Sequence, residues 1–272
     1  KEELLKLNAD LDFKKHQFKY KTNFDIDNAF QFLGRNWLKK PPNIFDKTCR
    51  NVLQKKQKDP YDTFNFIQNE IEKYKLDPVF FVLLSDEDEN DSNVSPDSKI
   101  LHTTVLSLAK YLVGIHPSYN ASNAEKVKTE IEKLSEIIAQ PITLSRQHFL
   151  KFKFPDTVYN LISNNIQKDY SLAYPDIIGF RAGYSREIIF FDLIKNITTD
   201  FVLQPTCWMD ATYEYYQKHM TTDEIINNFS SFLYLLKKIN GKLVLIFHND
   251  LLAKENYQTI FKLINQFSTQ EK

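Results

Sequence analysis

The clearest hydrophobic signal is a run of six apolar residues at 79–84, VFFVLL. It is too short for a helix and rich in β-branched and aromatic side chains, so it predicts a strand buried on both faces. Residues 111–115, 201–203 and 243–247 repeat the pattern, and residues 19–24 and 177–180 carry weaker versions of it. Between these runs the period lengthens. Over residues 123–139, Val127, Ile131, Leu134 and Ile138 fall on one helical face, and Ser122 with Glu125 reads as a capping box. Residues 98–112 begin as a helix and run into a strand. Pro155 suits the first turn of a helix over 157–164, and residues 223–239 and 253–267 complete the set. Strands alternating with helices predict a mainly parallel sheet. About seven such units in one chain of this length predict a closed, distorted (β/α) barrel, expected as one domain over residues 1–272. The sequence contains no internal repeat and no Gly-rich phosphate loop, which disfavours a dinucleotide fold.

The polar residues fall where that barrel would use them. Asp25 and Asp27 follow the first strand, Asp86 the second and His116 the third. Arg146 and His148 follow a short apolar stretch at 141–144, Asp169 follows residues 165–168, Arg181 follows 177–180, and His248 and Asp250 follow the last strand. In a β/α barrel the C-terminal ends of all strands open on one face, so residues scattered along the chain converge there. Each has an ordinary alternative. Asp25 and Asp27 could close a strand in an Asx turn, His116 and His248 could pack at strand ends, and the two arginines could pair with loop carboxylates. His16, His102 and His219 read as structural or solvated. The acidic stretch 85–98, SDEDENDSNVSPDS, reads as a solvated loop. The five glycines are few for the length, and Gly114 stands two residues before His116.

Composition narrows the partners. Thirty-five basic and thirty-five acidic residues cancel, which argues against a nucleic-acid partner. No apolar run approaches the roughly 20 residues of a membrane span. Cys49 and Cys207 form no spaced motif, so neither a disulfide framework nor a cysteine zinc site is expected. The chain opens at Lys1, which reads as a domain excised from a longer protein.

In order along the chain, FDIDNAF, GIHPSYN, SRQHF, KDYSLAY with GFRAG, and LIFHND resemble the motif series of polysaccharide deacetylases, the NodB-homology type of carbohydrate esterase family four. The resemblance is to the bacterial branch with Asp-x-Asp and His-Pro-Ser-Tyr motifs and covers about residues 20–250. It implies a hydrolase that removes acetyl groups from an acetylated polysaccharide or oligosaccharide through a divalent metal, most often zinc in this family. By the same resemblance Asp27 and His116 match metal ligands. Asp25 matches the general base, Arg146 the residue that orients it, and His248 the general acid, with Asp169 in support. Tyr119, Arg181 and Trp208 are the candidates for substrate contact. One position departs: four residues after His116 the family's common motif has a second metal-binding His, and here stands Asn120. His148 is the histidine placed to restore three protein ligands. Two other classes compete. A catalytically impaired relative would bind polysaccharide through aromatic residues at the mouth, with Tyr119, Phe149, Tyr170, Tyr174 and Trp208 as candidates. A glycosyltransferase would use Asp-x-Asp for a metal–nucleotide, but strand-end histidines and the absence of a diphosphate cradle oppose it.

Overall fold

The computed structural model describes residues 16–38, 41–85, 89–121 and 123–269. Among these residues nine strands form one sheet: β1 (Lys19–Ile26), β2 (Val79–Val82), β3 (Leu112–Ile115), β4 (Leu144–Ser145), β5 (Lys168–Asp169), β6 (Ile188–Asp192), β7 (Ile197–Leu203), β8 (Trp208–Met209) and β9 (Lys242–His248). Their order is β6-β7-β5-β4-β3-β2-β1-β9-β8, and every neighbouring pair is parallel except the β6/β7 hairpin. The sheet curls into a distorted (β/α) barrel. No pairing joins its two terminal strands among the described residues.

The described residues form seven α-helices around the strands: α1 (Lys47–Leu53), α2 (Phe64–Tyr74), α3 (Lys99–Leu108), α4 (Ala124–Ile138), α5 (Asp156–Ser163), α6 (Thr222–Lys238) and α7 (Glu255–Thr269). Helix α4 buries the face expected of it, Val127, Ile131, Leu134 and Ile138. Its N-cap is Asn123, whose side chain accepts from the Lys126 N–H; Ser122 lies outside the described residues. Pro155 caps α5 rather than opening its first turn. Residues 177–180 form a bend and not a strand, and the segment around 201–203 is the end of a longer strand in a hairpin.

Register explains why the strand ends matter. One row of the sheet runs Ile26–Val82–Ile115–Ser145–Asp169–Leu203. The row before it includes His248, Asp25, Phe81 and Gly114. Successive side chains on a strand point to opposite faces. Phe24, Phe80, Ile26 and Ile115 therefore pack beneath the helices, where Phe24 stacks on Phe80 at 5.0 Å and Phe247 meets Phe261 at 4.7 Å. Val79, Phe81, Tyr170 and Val244 form a small separate cluster on the other face, inside the curl. Gly114 belongs to this interior. A Cβ there would come within 2.7 Å of the Phe81 ring and 2.8 Å of the Leu144 carbonyl oxygen. The missing side chain is what lets β3 lie against the Phe81 ring.

Candidate active site

Asp27, His116 and Arg146 each stand one residue beyond that last paired row, on three different strands, so they rise from the interior face at one level. Arg146 is wholly buried, its guanidinium 4.4 Å from the centre of the Phe81 ring. Its Nη1 donates to Asp25 Oδ1 at 2.5 Å and its Nε to the Tyr170 carbonyl at 3.3 Å. The interior cluster thus carries a cation, and that cation holds the carboxylate of Asp25.

Three imidazoles surround Asp27. His116 Nε2 lies 3.1 Å from Asp27 Oδ1, and His148 Nε2 and His248 Nε2 lie 3.5 and 3.6 Å from Asp27 Oδ2. Each ring is fixed through its other nitrogen. His116 Nδ1 meets the Arg146 carbonyl at 2.5 Å, His148 Nδ1 meets Asp91 Oδ1 at 2.7 Å, and His248 Nδ1 meets Asp210 Oδ1 at 2.6 Å. Acceptors at Nδ1 place the hydrogen there and leave Nε2 with a lone pair facing Asp27 when the ring is neutral. Asp27 Oδ1 is buried and accepts no hydrogen bond.

The electrostatics follow from this crowding. Burial pushes the Asp27 carboxyl up, but His148 and His116 outweigh it and hold the group well below the usual carboxylate range. Burial lowers His148, yet Asp27 and Asp91 raise it to about 9. His248 moves well above the ordinary imidazole value because Asp210, Asp27 and Asp25 outweigh its burial. Asp210 itself is raised by burial, against the pull of His248. A divalent cation would replace the protons on such histidines. The ligand atoms of Asp27, His116 and His148 lie within 4.8 Å of one another, and with the orphaned Asp27 oxygen this donor set of two nitrogens and a carboxylate fits a zinc-like ion.

Asp25, Asp27, His116, His148 and His248 line one cleft of about 530 Å3, shared with Phe149, Tyr215, Tyr216 and Asp250. Other expected residues lie elsewhere. Asp169 sits in the row whose side chains face the helices. It accepts from Ser145 Oγ at 2.7 Å and from Ser171 N at 2.8 Å, and it reaches Arg146 only through its charge. Trp208 does not reach the mouth: it is 2% exposed, packed on Phe247 at 5.0 Å and Phe229 at 6.2 Å. Arg181 is exposed in the loop that replaces the expected strand, and it does not line the cleft. Tyr119 is half-buried and lines a neighbouring cavity of about 290 Å3, with the Lys151 ammonium 3.8 Å over its ring. Tyr170 is buried in the interior cluster, and Tyr174 is partly exposed outside the cleft lining. Asn120 is exposed, and Asp86 lies outside the described residues. Cys49 and Cys207 are buried and unbridged.

Two residues absent from the expectations are central here, Asp91 and Asp210. Asp91 belongs to the acidic stretch read as solvated, yet it is wholly buried. Asp210 follows β8, a strand of two residues too short to register as a pattern, though an Asp after an apolar Trp-Met pair was the available signal.

No protein-family model matches the sequence, and comparison with curated proteins finds no match either. Solved structures do match. A protein described as a polysaccharide deacetylase from Mycobacterium smegmatis superposes with a TM-score of 0.62 at 12% identity, over 95% of this chain and 86% of its own. One from Pseudomonas aeruginosa PAO1, described in the same way, gives 0.60 at 8% identity over 93% and 85%. Puue allantoinase gives 0.62 at 10% identity over 94% and 86%. The chain therefore has the fold of the polysaccharide-deacetylase, NodB-homology domain. An allantoinase among the neighbours means that the fold does not by itself select the reaction, which must be argued from the site.

Proposed function

We propose that the chain is a metal-dependent hydrolase that removes N- or O-linked acetyl groups from a glycan. The observation that carries this reading is the convergence of His116 and His148 Nε2 on the Asp27 carboxylate, one on each oxygen and with the buried Oδ1 accepting no hydrogen bond, beside Asp25 and His248. Asp27, His116 and His148 would hold the cation, with zinc the family's usual ion. When bound, it supplies a Lewis acid that polarises the acyl carbonyl and makes water more acidic. Asp25, held by the Arg146 guanidinium, accepts the proton that the attacking water loses. His248, kept protonated by Asp210, gives a proton to the departing nitrogen or oxygen. Phe149, Tyr215 and Tyr216, each more than half exposed on the cleft, offer rings against which sugar faces can lie.

The second reading, a non-catalytic glycan-binding relative, is favoured by Asn120 at the position of the common second histidine. His148 beside Asp27 weighs against it. The test is acetate release from chitin fragments, peptidoglycan fragments and acetylated xylan with zinc, cobalt or nickel added. The expected outcome is metal-dependent release from at least one substrate, with Asp25→Asn and His248→Ala each losing about 100-fold or more. Glycan binding without release from any of them would favour the second reading. Full activity in both variants would remove the assigned roles.

A further inference from the structure

The common arrangement of this site takes its second histidine from a position four residues after the first, so that one short segment carries both. Here the two imidazoles come from separate segments. His116 follows β3, and His148 sits in a single turn after β4. Something other than local chain geometry has to hold His148 in register with Asp27. The hydrogen bonds identify it. Asp91 Oδ1 meets His148 Nδ1 at 2.7 Å, and the same carboxylate accepts from the Tyr119 backbone N–H at 3.1 and 3.2 Å. One buried carboxylate therefore ties the His148 ring to the turn that begins at His116. A second tie joins the same two segments, from the His148 N–H to the Pro117 carbonyl at 3.2 Å.

Asp91 is itself anchored. Its neighbour Asn93 donates to the Ile26 and Leu83 carbonyls at 3.1 and 2.8 Å and accepts from the Ala29 N–H at 2.9 Å. Asn28 Nδ2 donates to Ser92 Oγ at 2.9 Å. The loop is thereby fastened to the ends of β1 and β2, the strands that set the position of Asp27. We propose that Asp91 is a positioning residue for cation binding: its carboxylate fixes the Nδ1–H tautomer of His148 and aims Nε2 at the point shared with Asp27 and His116. The proposal rests on the reading of those three residues as cation ligands. It assigns to a loop carboxylate the task that sequence proximity performs in the common motif. A carboxylate behind a metal-bound imidazole both orients the ring and raises its basicity, and its removal typically costs about 10- to 100-fold in metal affinity.

The experiment measures zinc affinity by competition with a chromophoric chelator in the full chain and in Asp91→Asn, Asp91→Ala and His148→Ala. Circular dichroism and thermal unfolding of each metal-free form check the fold. The expected result is one zinc in the wild type, an affinity about 10- to 100-fold lower in Asp91→Asn, a larger loss in Asp91→Ala, and an altered cobalt absorption spectrum in both. Wild-type affinity and an unchanged cobalt spectrum in Asp91→Asn would overturn the assignment to Asp91 while leaving the ligand set intact. Absence of any bound ion in the wild type, or unchanged stoichiometry and affinity in His148→Ala, would instead overturn the ligand reading. Should Asp91→Asn fail to fold, nitrogen-15 NMR of the imidazoles in the zinc-loaded wild type decides. His148 carrying its hydrogen on Nδ1 supports the assignment, and His148 carrying it on Nε2 overturns it.

Discussion

Replacing Asp25 with Asn isolates what the buried ion pair beneath the site contributes. Arg146 is wholly buried, and among the described residues only Asp25 offers it a counter-charge through a hydrogen bond, at 2.5 Å, its other bond goes to the Tyr170 carbonyl, and Nη2 has no partner. In Asp25→Asn the guanidinium would face a neutral amide, with no solvent to compensate. Removing one partner of a buried pair costs about 3–5 kcal/mol. Because the Asn carbonyl can still accept from Nη1, we expect the low end, about 3 kcal/mol. For a chain of this size that corresponds to a fall in Tm of roughly 6–12 °C. Arg146→Met places an apolar chain of similar length over Phe81 and Tyr170, so Asp25→Asn/Arg146→Met should recover part of the loss, with a coupling of about 1–3 kcal/mol. The assay is thermal and urea unfolding of the four proteins in metal-free buffer, since a bound cation would add its own stabilisation. An Asp25→Asn midpoint within about 0.5 kcal/mol of wild type, or strict additivity in the double variant, would refute the claim that this pair holds Arg146 in place.

Gly114→Ala should cost about 1–3 kcal/mol by thermal unfolding, because its Cβ would press on the Phe81 ring and the Leu144 carbonyl; a stability equal to wild type would show that the interior has room. Burial raises the Glu130 carboxyl to about 7 from an ordinary 4.5, against the opposing bonds from the Ser118 hydroxyl and N–H. The folded chain then keeps a proton that the unfolded chain has released. This contribution is fully present below pH 4.5 and is lost as pH rises through about 7, an effect on the order of 3 kcal/mol at most. Glu130→Gln should flatten that slope between pH 5 and 8 in urea unfolding, and parallel stability curves for variant and wild type would contradict it.

What the sequence made legible tracks the strength of each pattern. The unbroken apolar runs became β2, β3 and β9, and the residues just past them supplied His116 and His248. Asp25 and Asp27 were legible because alternation at a strand end puts both on one face. Helix α1 carries too few apolar positions to show a period, and β6, reading IIFFD, is apolar on both faces, so its alternation is hidden. The bend at residues 177–180 resembles a strand in composition, which put Arg181 at the mouth; Trp208 was expected there as an aromatic ring, and neither residue lines the cleft. Asp91 shows the general difficulty. In a run of acidic residues nothing in composition separates the one buried carboxylate from its solvated neighbours; only the hydrogen bond to a histidine 57 residues away does.

Distance to Asp27 alone does not separate His148 from His248, since their Nε2 atoms lie 3.5 and 3.6 Å from the same oxygen and each is backed by a buried Asp. Position does separate them. His148 packs against His116 with ring centres 5.1 Å apart, and those two with Asp27 form the compact donor set. His248 stands directly across from Asp25 in the β1/β9 register. A cation held by Asp27, His116 and His148 would leave His248 and Asp25 as neighbours facing the same opening, one backed by Asp210 and one hydrogen-bonded to Arg146. A hydrolysis that must remove a proton from water and deliver one to a leaving group needs such a pair on the substrate side of the ion. If the roles were exchanged, with His248 binding the ion, the remaining histidine would be His148, which packs on His116 and is not the residue paired with Asp25 across β1 and β9. Under the proposed function, this asymmetry is the argument for giving His148 to the ion and His248 to the proton.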